Sequence, residues 1–142
     1  MIAVDTNILV RMLVEDDNAQ TKTIQDAFRL AEAYSIQIIV LPEVLIETVW
    51  VLESVYNCER KEIARFLDKL EHTTSITLTD PQVTRNVIEQ YKTKGDFADL
   101  MIVHQAKSRK AIRLFSFDSD LRKAFPGYVV NKLSEEELQS LI

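Results

Sequence analysis

The hydrophobic positions of this chain change period repeatedly. Ile2–Val4 is a short continuous apolar run, which reads as a buried strand. Thr6–Val14 then reads as a short helix, and Ala19–Tyr34 as a longer one. Ile36–Val40 is a β-branched apolar run, hence a second strand. Pro42 suits the first turn of a helix running to about Tyr56, and a further helix covers about Lys61–Leu70. Ile76–Leu78 is a third short strand. Asp80 reads as an N-cap with Pro81 at the first helical position, opening a helix to about Tyr91. Asp96 reads as the next N-cap, with Asp99 three residues on. Arg113–Phe117 is a strand, Asp118–Ala124 a short helix and Tyr128–Val130 a last strand. Ser134-Glu135-Glu136-Glu137 opens a terminal helix with capping-box character. Strands alternating with helices predict an α/β domain with a parallel sheet. Continuous rather than alternating apolar strands predict a sheet covered on both faces.

Length and composition narrow the class. A chain of 142 residues fits one domain over 1–142 with a real core. Two glycines and three prolines leave no room for a long flexible linker. Cys58 is the only cysteine, so no intrachain disulfide forms, which fits a reducing, cytoplasmic setting. No apolar run approaches the roughly 20 residues of a membrane helix, and no signal-peptide pattern opens the chain. The net charge of −5 argues against a broad, nonspecific nucleic-acid binder. A metal site built from carboxylates, however, makes its own protein acidic.

Four acids stand where the alternation meets polar residues. Asp5 ends Met1-Ile2-Ala3-Val4 and opens Thr6-Asn7-Ile8-Leu9, and Asp118 ends Ile112–Phe117 in the same way. Ligands of an open parallel sheet bind outside the carboxyl ends of its strands. Carboxylates gathered there repel one another unless a hard cation sits between them, and oxygen-only ligands point to Mg2+ or Mn2+. Each acid also has a plain structural use. Asp5 suits an N-cap, although Thr6 and Asn7 add groups able to hydrogen-bond the carboxylate, a water or a phosphate. Glu47 shares a narrow stripe with Glu43 and Ser54, close to Trp50, which is the profile of a solvated helix face. In a first turn, Asp99 gains about 0.3–1 kcal/mol from the helix dipole. Of Asp118 and Asp120, one would ligate or orient and the other cap or face solvent. His72 and His104 have no partner at a useful spacing, which argues against a two-histidine ribonuclease. No glycine-rich turn follows the first strand, which disfavours a dinucleotide-binding enzyme. A signalling receiver would need adjacent acids there, and Asp5-Thr6-Asn7 supplies one.

Ile2-Ala3-Val4-Asp5-Thr6-Asn7-Ile8-Leu9-Val10, Glu47 after Pro42, Gly95-Asp96-Phe97-Ala98-Asp99 and Phe115-Ser116-Phe117-Asp118 together resemble the PIN-domain family. The likeness is to VapC-type toxins of type II toxin–antitoxin systems, and it runs from residue 1 to about 130. It implies a three-layer α/β/α fold with a central parallel sheet. It also implies an endoribonuclease that uses Mg2+ or Mn2+ to activate water and hydrolyse RNA phosphodiesters. The family's catalytic and metal-binding acids fall on Asp5, Glu47, Asp99 and Asp118. Thr6, Asn7 and Ser116 fall where substrate would be contacted, Ser116 standing where the family often has Thr. Arg11, Lys92, Lys94 and Arg122 are candidates for holding phosphates. Alternatives within the resemblance are a PIN nuclease of RNA processing and a non-catalytic PIN-like binding module.

The resemblance also implies a homodimer neutralised by a cognate antitoxin protein, with a cationic side chain of the antitoxin among the carboxylates. The apolar arc of the helix from Pro42 to Tyr56 spans roughly 160°, wider than the ~100° that packing on one side needs. With Ile63, Phe66, Leu67 and Leu70 of the next helix, it predicts an exposed apolar association patch.

Overall fold

A computed structural model describes all residues, 1–142. The period changes become eight helices and five strands, every strand pair parallel. The chain is organised as two compact units, Met1–Met101 and Ile102–Ile142.

In the first unit, β1 (Ile2–Ala3), β2 (Ile38–Val40) and β3 (Ile76–Leu78) form a sheet in the order β1-β2-β3. Ile2 is in register with Ile38, and Ile38 with Ile76. Helices α1 (Thr6–Val14) and α2 (Asn18–Ala33) make the first crossover, α3 (Pro42–Ser54) and α4 (Arg60–Glu71) the second. After β3 come α5 (Pro81–Tyr91) and α6 (Phe97–Ser108). This succession has the α/β class expected, and its helices and parallel sheet fit a three-layer α/β/α fold. Parallel strands need long crossovers, so helices must separate them.

The core follows the apolar pattern. Ile38 and Val40 on the central strand, Leu9 on α1, Leu45 on α3 and Leu67 on α4 are all buried. Three expectations need correction. β1 is not a buried strand, since Ile2 is 47% exposed and Ala3 is exposed too. Its edge position alone does not explain this, since β3, at the other edge, buries Ile76 and Leu78. Asp80 does not cap α5 with its side chain. Its backbone is left-handed, at φ 48°, and its carbonyl instead accepts from Thr84 N at 3.0 Å. Finally, Ile63, Phe66, Leu67 and Leu70 of α4 are buried, so they add nothing to an exposed apolar patch. On or just beyond α3, Trp50 at 61% and Val55 at 59% remain exposed.

The turn from α5 into α6 is held from a distance. Arg60 Nη1 donates to Tyr91 O at 3.0 Å and to Gly95 O at 2.8 Å, and its guanidinium lies 4.5 Å from the centre of the Tyr91 ring. Gly95 has φ +105°, and a Cβ there would meet Leu100 at 3.1 Å. Its conformation therefore strains any side chain, and a Cβ would require Leu100 to give way slightly.

In the second unit, β4 (Leu114–Phe115) and β5 (Val129–Val130) pair in parallel, with α7 (Ser119–Ala124) between them in sequence. Val103, Leu121 and Val129 form a small core, packed by Leu114, Phe125 and Tyr128. Before α8 (Glu135–Ser140), Ser134 Oγ accepts from Glu137 N at 3.1 Å. The Glu137 carboxylate accepts from Arg113 Nε at 2.7 Å rather than reaching back, so only half of the capping box forms. No helix is long and apolar enough to cross a membrane.

Candidate active site

Asp5 leaves β1 in an extended conformation and caps α1, its Oδ1 accepting from Thr6 N at 2.7 Å. Oδ2 is not engaged. Thr6 is turned inward, 6% exposed, and its Oγ1 is buried without a hydrogen-bond partner. Asn7, next in the same turn, is exposed. These three residues line a cleft of about 280 Å³ with Arg11 and Glu47. Val51 and Val55 continue the Glu47 side of the cleft at four-residue intervals, as one face of α3 requires. Glu47 is exposed and makes neither a hydrogen bond nor an ion pair. The structure thus brings Asp5, Thr6, Asn7 and Glu47 into one cleft, with no cation paired to either acid.

Glu47 also borders a second cleft of about 350 Å³, with Glu43, Trp50, Glu53 and Asp96. Burial, and then the nearby charge of Asp96, raise the Glu53 carboxyl above its ordinary range. Asp96 acts as expected: its Oδ1 accepts from Asp99 N at 3.0 Å and starts α6. Asp99 therefore stands half-buried in the first turn, one residue beyond Ala98, which lines this second cleft. Behind the turn, burial and the Glu53 charge push the Tyr91 phenol up to about 12.

Asp118 and Ser116 belong to the second unit. Asp118 follows β4 and caps α7, Oδ1 accepting from Asp120 N at 2.9 Å and Leu121 N at 3.1 Å. Ser116 Oγ accepts from Asp118 N at 3.1 Å and so fixes the backbone of the acid. Asp120 is exposed.

The basic candidates separate. Arg11 lines the cleft of Asp5 and Glu47, while Lys92 is occupied by Asp68 at 3.0 Å and Glu89 at 2.9 Å. Lys94 is exposed and Arg122 half-buried. His104 is held below its ordinary pKa by burial and then by the charge of Lys107. One other cluster could offer oxygen and nitrogen ligands: Asp68, Glu71 and His72, with ligand atoms within 4.8 Å of one another. Its carboxylates are already paired, Asp68 with Lys92 and Glu71 with Arg85 at 2.5 Å. Sequence reasoning missed Glu53, Tyr56 and Arg60. The first sits three residues after Trp50, itself seven after Glu43, a spacing on one side of the helix that could have found it. The contact of Arg60 with carbonyls far along the chain has no local signal.

No curated protein and no solved structure matches the chain significantly. The PIN domain model matches residues 2–125, a span that includes Asp5, Glu47, Asp99 and Asp118. An α/β chain matched by this model over residues 2–125 belongs to the PIN domain family.

Proposed function

We propose that this protein is a metal-dependent endoribonuclease that hydrolyses RNA phosphodiesters, and that it serves as the toxin of a toxin–antitoxin pair. PIN domains are generally metal-dependent nucleases. The observation that carries the reading is the cleft that Asp5 and Glu47 both line, in which neither acid is paired with a cation of the protein. Buried Thr6 Oγ1, unpartnered at its edge, fits the same purpose, since a buried hydroxyl without a partner costs roughly 1–3 kcal/mol. All the donors are oxygens, which suits Mg2+ or Mn2+ over softer ions. Asp5 and Asp118 would be the principal ligands, with Asp99 and Glu47 completing the set. When bound, such an ion lowers the pKa of water and offsets the charge of attacking and leaving oxygens.

The chain's own residues do the rest. Asp5 and Asp118 each accept backbone N–H groups through one oxygen, so their carboxylates are held in place before substrate arrives. Thr6 Oγ1 would donate to a water or a phosphate oxygen on rotating out of its buried position, and Asn7 and Ser116 are the further substrate contacts. Water adds to phosphorus as the bond to the 3′ oxygen breaks. The products carry a 5′-phosphate and a 3′-OH, and no 2′-OH is consumed. Single-stranded or looped RNA is the expected substrate, because its backbone is accessible. The exposed carboxylates would equally receive a cationic side chain of an antitoxin, in a homodimeric assembly.

The test is cleavage of mixed cellular RNA with Mg2+ or Mn2+, with the ends mapped, beside Asp5→Asn. Products ending in 2′,3′-cyclic phosphate, or full activity in Asp5→Asn, would refute the chemistry. Growth arrest on expression, relieved by Asp5→Asn, separates the toxin role from RNA processing.

A further inference from the structure

An RNA strand entering the cleft of Asp5 and Glu47 has two ways to continue across the first unit. One leads past Glu47 into the second cleft, where Glu43, Glu53 and Asp96 add three more carboxylates and no lysine or arginine lines the wall. The other leads past Asn7 and Arg11 into a third cleft, of about 400 Å³, between α1 and α2. Asn7 and Arg11 line both the first cleft and the third, so the two adjoin at these residues. The third has no carboxylate in its wall. Gln20 and Thr23 offer neutral polar groups there, and Ile8 and Ile24 are apolar.

Arg11 stands at the junction and is already oriented. Its Nε donates to Gln20 Oε1 at 2.9 Å, and its Nη1 donates to Tyr56 OH at 3.2 Å and to Asp16. Those bonds use three of the five guanidinium hydrogens and leave both on Nη2. Asp16 offsets part of the charge, yet its carboxylate is not in the wall of either cleft. A guanidinium fixed at three points loses little further freedom when it meets a phosphate.

We propose that the α1–α2 groove is the subsite for the nucleotide next to the scissile phosphate. The backbone phosphate of that nucleotide would lie on Arg11 Nη2. Its base would lie against Ile8 and Ile24, its edge within reach of Asn7, Gln20 and Thr23. The strand runs toward Arg11 and away from the carboxylates around Trp50. This assignment rests on the nuclease reading and adds a direction to it.

The experiment uses the full chain carrying Asp118→Asn, with a fluorescein-labelled single-stranded RNA octamer, in Mg2+. Binding by anisotropy across a salt series should lose a log–log slope of about 0.7 with Arg11→Ala, the value of one phosphate contact on a single strand. Arg11→Lys should keep the slope and lose affinity, because the fork is gone. Independently of any change at Arg11, 4-thiouridine in the octamer should photocrosslink to the peptide spanning 18–24. An unchanged slope in Arg11→Ala, or crosslinks confined to 43–53, overturns the groove assignment. If the unsubstituted chain still cleaves RNA in that case, the nuclease reading stands. If the unsubstituted chain neither binds nor cleaves RNA, both readings fall.

Discussion

Under the proposed function Asp118 would have two roles in one carboxylate, and substitution can separate them. Its Oδ1 accepts two backbone N–H groups that would otherwise go unpaired at the start of α7, a helix of only six residues. Replacing such a cap by Ala costs about 0.5–2 kcal/mol. For a chain of this size, about 1 kcal/mol lowers the melting temperature by roughly 3–5 °C. Asp118→Asn keeps an oxygen acceptor and removes only the charge, so its melting point should stay within about 1 °C of the parent, well inside the ordinary surface-substitution range. Glu47→Gln offers the complementary control, since Glu47 holds no bond that could be lost. All three variants should lose RNA cleavage in Mg2+. Only Asp118→Ala should lose stability. The assay is a thermal melt without metal, paired with an end-mapped cleavage time course on the same preparations. The reasoning fails if Asp118→Asn melts as low as Asp118→Ala, or if Glu47→Gln is destabilised by more than about 1 kcal/mol.

Further outcomes follow from the same geometry. Mg2+ should raise the melting point of the parent chain more than that of Glu47→Gln, approaching about 2.7 kcal/mol at a hundredfold excess over Kd; equal shifts would remove Glu47 from the site. Tyr91 has a folded pKa of about 12, raised above the usual value near ~10, so its contribution to stability is intact below about pH 10 and is lost as pH rises toward 12. Urea midpoints at pH 8 and 11 should therefore differ less in Tyr91→Phe than in the parent. Leu67 is fully buried on α4, and Leu67→Ala should cost about 2–5 kcal/mol in urea unfolding. A loss under about 1 kcal/mol would mean that α4 is not packed as described.

Much of the architecture was legible because it is locally encoded. Thr6–Val14, Ile76–Leu78 and Pro81–Tyr91 lie where period and punctuation place them. The caps at Asp5 and Asp96 were likewise readable, since an acid before a helical turn is a short-range signal, whereas the pair Asp118 and Asp120 left open which acid caps α7, and it is Asp118. What period cannot carry is which strand is covered. The apolar run at Ile2–Val4 resembles that at Ile38–Val40, yet Ile2 is exposed and Ile38 is buried. The excess apolar arc misled for a related reason: α4 buries its own apolar face, and sequence does not say against what. For the site, spacing placed each acid on its element, and the structure brings Asp5 and Glu47 together. Arg60 was invisible because its partners Tyr91 and Gly95 are backbone carbonyls, which every residue has.

A parallel ladder cannot close on a hairpin. Ile2 must wait for Ile38, and Ile38 for Ile76. On the ribosome the chain lengthens by only about 5–20 residues each second, so Asp5 emerges seconds before the strand that will fix it. Helix α1 can form early, because its bonds are local. The cleft it shares with α3 cannot, and Asp99 and Asp118 emerge later still. Non-local pairing is also slow in its own right, since loop closure precedes any reward. As a nuclease, a nascent copy would thus be unable to cut the transcript that encodes it before its last acid has emerged.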